Sequence, residues 1–196
     1  DVVPVLLLID TGASDALWLS PASSDQIKIP SNNIYSFLGV GLGGDLFGHK
    51  GRLMQLWLGG KPLDNPIVSY PKSEYIDNII NSELRNGSIG GEILRRFVVT
   101  FDYFNKRLIL RPNSDFKDKF YYNMSGLEII NPVPGIPVFT IENVIENSPA
   151  WNAGFRQSDQ LLSINYNSHK DLTLNDINLI LKQQQNKKIN LTVLRN

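Results

Sequence analysis

Asp10 ends an apolar run. Leu6-Leu7-Leu8-Ile9-Asp10-Thr11-Gly12-Ala13-Ser14 carries one carboxylate from a strand-like stretch into a turn of small and hydroxylic residues. Leaving a carboxylate bare at the end of a buried strand costs several kcal/mol, so it must be hydrogen-bonded or paired. Thr11, Gly12 and Ser14 are the expected donors. The chemistry open to such a group is proton transfer: two carboxylates in near contact cannot both ionise, so one serves as base and the other as acid. Taken alone, Asp-Thr-Gly reads equally well as an aspartate capping a turn.

Other reactive types lack a setting. Gly39, Gly41 and Gly44 satisfy G-x-G-x-x-G, but the strand-like Leu53–Leu58 follows where a dinucleotide-binding loop would open a helix. His49 and His169 are far apart and read as turn histidines, which leaves metal ligation and Ser-His catalysis unsupported. No Gly-x-Ser-x-Gly elbow is present, and without cysteine there is no disulfide or thiolate chemistry.

A second segment gives Asp10 a context. Gly87-Ser88-Ile89-Gly90-Gly91-Glu92-Ile93-Leu94-Arg95-Arg96-Phe97-Val98-Val99-Thr100-Phe101-Asp102-Tyr103 resembles the stretch of pepsin/retropepsin-type aspartic peptidases in which an apolar-apolar-Gly unit precedes a short helix and a strand. In that family the unit threads beside the Asp-Thr-Gly loop; Ile89-Gly90 match its end, with Ser88 where an aliphatic residue is usual. Between the two motifs, the glycine-rich Phe37–Gly48 stands where the family has its flap, a hairpin that closes over substrate. The resemblance implies an acid-protease-like β-barrel lobe and peptide-bond hydrolysis without metal or cofactor. It makes Asp10, Thr11 and Gly12 the catalytic loop and Ser14, Gly41, Gly43, Ile89 and Gly90 substrate-facing.

One Asp-Thr-Gly is half a site. Asp15, Asp45 and the other acids lack its setting, so the second carboxylate must come from a symmetry mate, as in retroviral enzymes, or from an N-terminal lobe. Only nine residues precede Asp10, fewer than in retroviral-type subunits. The expectation is therefore an N-terminally shortened second lobe, as in bacterial two-lobed aspartyl proteases ending in a PDZ domain. The isolated chain should then turn over little substrate.

From Phe120 onward the resemblance is to PDZ domains. Asn143–Phe155, with Ser148-Pro149-Ala150 and Ala153-Gly154, and Ser158–Asn165, with Asp159 and Leu161, follow that family's pattern, Ser158 replacing a glycine. Ser125-Gly126-Leu127-Glu128-Ile129 stands at its Gly-Leu-Gly-Phe-type loop, whose N–H groups would receive a peptide's C-terminal carboxylate. Glu128 replaces the usual small residue. A ligand would add a strand beside Gly126, Leu127, Glu128 and Ile129, with Leu174 at the first position of the flanking helix, where a core role is equally open. The implied partners are a peptide or protein substrate, the missing lobe or copy, and a C-terminal peptide ligand. The competing reading is a non-catalytic scaffold that acts through peptide binding.

The elements that must position these residues are mostly strands. Val2–Ile9, Leu53–Leu58, Pro66–Tyr70, Phe97–Phe101 and Arg107–Leu110 are apolar or alternating runs broken by Gly, Pro and Asn, with one helix over Glu74–Leu84. The polar stretch from Arg111 to Lys119 marks a connector, with a peptidase lobe over 1–115 and a PDZ-like α/β sandwich over 116–196. In the latter, strands Phe120–Tyr122, Gly126–Ile130, Val138–Val144, Gln160–Ile164 and Ile189–Leu194 surround a helix over Leu174–Gln184.

Lys+Arg and Asp+Glu both number 19, leaving no basic surplus for nucleic acid. No apolar run nears the roughly 20 residues of a membrane span. The bacterial style of the PDZ match points to a periplasmic or otherwise exported envelope protein.

Overall fold

The computed structural model describes residues 2–41, 44–72, 85–182 and 186–195 of the 196, so the helix expected over Glu74–Leu84 lies outside the described residues. The chain divides into two compact units, Asp1–Phe120 and Tyr121–Asn196, each with its own apolar core.

In the first unit the strands are β1 (Leu7–Ile9), β2 (Leu17–Leu19), β3 (Asn33–Gly41), β4 (Gly44–Arg52), β5 (Gln55–Leu58), β6 (Lys61–Asp64), β7 (Ile67–Pro71), β8 (Gly87–Ile89), β9 (Phe97–Asp102) and β10 (Arg107–Pro112). The short helix α1 (Gly91–Leu94) follows β8. One sheet runs β1-β8-β2-β7-β4-β3, while β5–β6 and β9–β10 form separate hairpins. The β1/β8 and β2/β7 pairs are parallel, and β2/β8, β4/β7 and β3/β4 are antiparallel. The run Val2–Ile9 is apolar throughout but only half of it is covered. Val3, Val5, Leu7 and Ile9 pack on the core while Val2, Leu6 and Leu8 face out, the two-residue period of extended backbone.

Arg96 sets the end of this unit. Its side chain is fully buried, with Nε donating to the Glu92 carbonyl (3.0 Å) and Nη2 to Glu92 Oε1 (2.9 Å). Nη1 donates to the carbonyls of Asp115 and Asp118, and the guanidinium lies 3.7 Å from the centre of the Phe120 ring. Burial pulls the Arg96 pKa down, and the Glu92 carboxylate opposes that shift. Residues 115–120 are thereby held to the first core, in which Phe120 is buried and against which Phe116 packs. The two compact units therefore meet at 120/121 rather than at the expected 115/116, and Phe120–Tyr122 forms no strand.

The second unit contains β11 (Leu127–Ile130), β12 (Phe139–Val144), α2 (Pro149–Asn152), β13 (Gln160–Ile164), β14 (Asn167–Ser168), α3 (Leu174–Leu181) and β15 (Leu191–Leu194). Its sheet runs β11-β12-β13-β14, with β15 also paired to β13. The core joins Leu127, Ile129, Phe139, Ile141, Leu161 and Ile164 of the sheet to Ile177 and Leu181 of α3. A reciprocal capping box starts α3: Thr173 Oγ1 accepts from Asp176 N (3.2 Å) and Asp176 Oδ2 accepts from Thr173 N (2.8 Å). Among the described residues no helix is long and apolar enough to cross a membrane.

Candidate functional site

Asp10 follows β1 directly and is half-buried. Its backbone N–H donates to the Ile89 carbonyl (2.9 Å), which extends the β1/β8 ladder by one step. The side chain turns back on its own loop, where Oδ1 accepts from the N–H groups of Gly12 (2.9 Å) and Ala13 (3.1 Å). These backbone donors replace the hydroxyls of Thr11 and Ser14, which are not among the described bonds to Asp10; Thr11, Gly12 and Ser14 are exposed. Oδ2 has no hydrogen bond to a described residue. One oxygen is thus fixed by the backbone of its own loop.

The loop at Ile89-Gly90 lies beside this turn, and the contact is backbone on backbone. β8 is inserted between β1 and β2. Gly90 N donates to the Ala16 carbonyl (3.0 Å) and Gly91 N to the Ala13 carbonyl (2.6 Å). A Cβ on Gly90 would stand 2.3 Å from the Asp15 carbonyl oxygen, and one on Gly87 1.8 Å from that of Trp18. Gly90 has φ −117°, open to any residue, so glycine is needed there for space and not for conformation. Ile89 is buried in the first core.

The sequence reading passed over Asp15 as a member of this site. Its Oδ2 accepts from Trp18 Nε1 (2.8 Å) and from Ser69 Oγ (3.0 Å), tying the loop after Asp10 to β2 and β7. The Asp15/Trp18 spacing was visible in the sequence; Ser69, 54 positions away, was not. The neighbouring Tyr70 is buried, its hydroxyl has no partner among the described residues, and burial pushes its pKa up to about 12.

The expected flap is the β3–β4 hairpin, in which Gly41 pairs with Gly44; Gly43 lies outside the described residues. Tyr35, Phe37, Phe47 and His49 form an aromatic row along it, with ring centres 5.4 to 6.3 Å apart. His49 is therefore a strand residue, not a turn residue, and its Nδ1 lies 2.7 Å from Asn33 Oδ1. His169 opens a short 3-10 turn with Nδ1 2.9 Å from the Leu162 carbonyl.

In the second unit, Gly126 has φ +82°, and a Cβ there would stand 2.1 Å from Ser148 Oγ, so both conformation and space call for glycine. Its carbonyl accepts from Ile145 N (2.8 Å). Leu127 and Ile129 point into the core, while Glu128 is half-buried on β11 beside a register shift. Leu174 packs on the same core from the first turn of α3, and α3 packs against β11. Asp159 is buried and held by Arg195 Nε (2.7 Å) and Nη2 (2.6 Å) and by Arg156 N (2.9 Å). The Arg195 guanidinium keeps its carboxyl below the usual carboxylate range. Ser158, where the family has glycine, takes the left-handed conformation at φ +71°.

Residues 140–195 match the family model described as PDZ domain. No curated protein matches the chain. Among solved structures the chain is similar to an EIAV protease complexed with the inhibitor HBY-793, at 19% identity and a TM-score of 0.33, over 47% of this chain and 75% of that one. The described chain is mainly β, a strand-rich first unit followed by a second unit that carries the PDZ-domain match.

Proposed function

We propose that this chain supplies half of an aspartic peptidase site, with Asp10 as its carboxylate, and that its PDZ domain recruits peptide segments. The observation that carries this reading is the asymmetry at Asp10: Oδ1 is held by two backbone N–H groups, while Oδ2 is unbonded among the described residues. The partner carboxylate comes from a second lobe of the same polypeptide or from a second copy of the chain.

Brought within near contact, the two carboxylates share one proton, because both cannot ionise at that distance. The ionised one takes a proton from water as the oxygen adds to the peptide carbonyl carbon. The protonated one gives its proton to the carbonyl oxygen. Collapse of the tetrahedral species breaks the C–N bond: one carboxyl gives its proton to the leaving amine while the other takes a hydroxyl proton from the tetrahedral carbon, which restores the shared proton. In this scheme Gly12 and Ala13 fix the carboxylate plane, and Asp15, Trp18 and Ser69 brace the loop so that little reorganisation is needed.

The test is cleavage of a quenched-fluorescence peptide library by the full-length protein and by Asp10→Asn, from acidic to neutral pH. The substitution should reduce kcat by on the order of a thousandfold or more. A rate that rises with the square of chain concentration identifies a second copy as the partner. Cleavage indifferent to Asp10→Asn, or no cleavage at all, sinks the peptidase reading.

A further inference from the structure

We infer that the β9–β10 hairpin docks the chain on an anionic lipid–water interface: Tyr103 and Phe104 enter the headgroup layer, and Lys106, Arg107 and Arg111 face its negative charge. The inference stands apart from the peptidase and peptide-binding readings, and its test measures neither.

The register sorts this hairpin into two faces. Phe97, Val99 and Leu110 pack on the first core. On the other face Val98 pairs with Arg111, Thr100 with Ile109 and Asp102 with Arg107, and all of these but Asp102 are exposed. Val98 is 50% and Ile109 43% exposed, so apolar and cationic side chains share an open surface. Toward the turn the core gives out. Phe101 and Leu108, two residues beyond Val99 and Leu110, do not belong to it, and Phe101 stacks on Tyr103 with ring centres 6.1 Å apart.

The turn holds two further rings in water. Asp102 Oδ1 accepts from Asn105 N (3.0 Å), and Oδ2 accepts from Asn105 Nδ2 (2.8 Å) and Arg107 Nη2 (3.1 Å). Lys106 N donates to the Tyr103 carbonyl (3.3 Å), and Lys106 takes the left-handed conformation at φ +53°. With the turn tied in this way, Tyr103 is 86% and Phe104 95% exposed. Single apolar residues scattered over a surface need no explanation, whereas a group of them on one element marks an interaction site.

Two properties select lipid as the occupant. Protruding rings ask a protein partner for preformed pockets, while a headgroup layer is fluid and closes around them, and a ring with one polar end, as in Tyr103, favours that layer. The charge is also one-sided. Lys106 and Arg111 have no acidic partner among the described residues, and the one acid of the hairpin, Asp102, is spent on the turn and on Arg107. Lys+Arg equals Asp+Glu over the whole chain, so this basic surplus is local and complements an anionic leaflet. Apolar insertion combined with a few cations gives weak, reversible attachment.

The experiment sediments the full chain with vesicles of phosphatidylcholine, alone or with about 30% phosphatidylglycerol, in about 0.05 M and about 0.5 M NaCl. The chain should bind the anionic vesicles, and the higher salt should weaken binding on the order of tenfold. Phe104→Ser, Tyr103→Ser and Lys106→Gln should each weaken it about fivefold. These side chains are exposed, so an unchanged Tm certifies the fold of each variant. Tyr166→Ser, which removes an 88% exposed ring from the second unit, should leave binding as it is. In Phe104→Trp the emission should move to the blue on binding and be quenched by brominated acyl chains more strongly than that of the parent. Failure to sediment with anionic vesicles, equal binding to neutral ones, or binding indifferent to both aromatic substitutions overturns the inference. Self-association lost in Phe104→Ser, without vesicle binding, also overturns it and gives the turn to a protein partner.

Discussion

Adjacent glycines in the loop beside Asp10 should respond to the same substitution very unequally. In Gly90→Ala the new methyl meets backbone: the Asp15 carbonyl oxygen at 2.3 Å and that of Ala13 at 2.8 Å, so the facing loop must retreat by about 0.7 Å to reach 3.0 Å. That movement pulls on Gly90 N···O Ala16 (3.0 Å), which holds the loop behind Asp10. Forcing a methyl against backbone costs up to about 3 kcal/mol. A lost hydrogen bond adds about 1, and the stiffer unfolded chain returns about 0.5, for a net loss of up to about 3.5 kcal/mol. For a unit of this size that is on the order of 12 °C in Tm.

Gly91→Ala has as its nearest obstacle only the Ala13 carbonyl oxygen at 3.1 Å, and it sits in α1, where alanine gains about 1 kcal/mol of helix propensity. Its expected effect is within about 1 kcal/mol of zero. Urea titration read by hydrogen exchange of peptides from β9 and from β13 separates the two units, and only the β9 signal should move. Equal effects of the two substitutions, or a loss registered on β13, would refute the claim that these loops interlock through backbone contact.

Arg96→Ala should destabilise the first unit by on the order of 3 kcal/mol, because it removes the donors to the Glu92 and Asp118 carbonyls while emptying a fully buried site. Arg96→Lys should recover only part of this, since an ammonium cannot reproduce the fork; denaturant midpoints check both. The Asp159 carboxyl has a folded-state pKa below its unfolded value of about 3.9, so its contribution to the second unit is complete above that value and is lost as pH falls through the folded one. In Arg195→Ala the acid-side loss should shrink, and matching midpoint-versus-pH curves for parent and variant would count against the pair. Tyr70→Phe removes a buried hydroxyl that lacks a partner among the described residues, so Tm should stay level or rise by a few degrees. A drop of more than about 5 °C would mean that the hydroxyl is bonded in solution.

How much of the site could be read in advance differs from residue to residue. Local order was sufficient for Asp10 at the end of an apolar strand, for Ile89-Gly90 ahead of a short helix, and for the helix over Leu174–Leu181, since each depends on residue types a few positions apart. Of the donors expected for Asp10, Gly12 is found and Ala13 takes the place of Thr11 and Ser14, because hydroxyl side chains are visible as letters whereas a backbone N–H belongs to every residue and matters only once the turn has closed. The alternation in Val2–Ile9 was hidden because all of its residues but one are large and apolar, and the tertiary fold decides which face is covered.

By itself the sequence determined the strand-rich lobe, its lone Asp-Thr-Gly and the PDZ pattern, because these follow from short-range composition and spacing. The tertiary structure alone decided that β8 inserts between β1 and β2, that Ser69 reaches Asp15, that Arg96 draws residues 115–120 into the first unit, and that the Ser125 and Asn123 side chains bond to the Leu127 backbone at the start of β11. The first three join groups far apart along the chain, and the last depends on where each donor points. Such contacts form only when folding meets the loop-closure cost, and no local pattern of residue types specifies which distant partner makes up that cost.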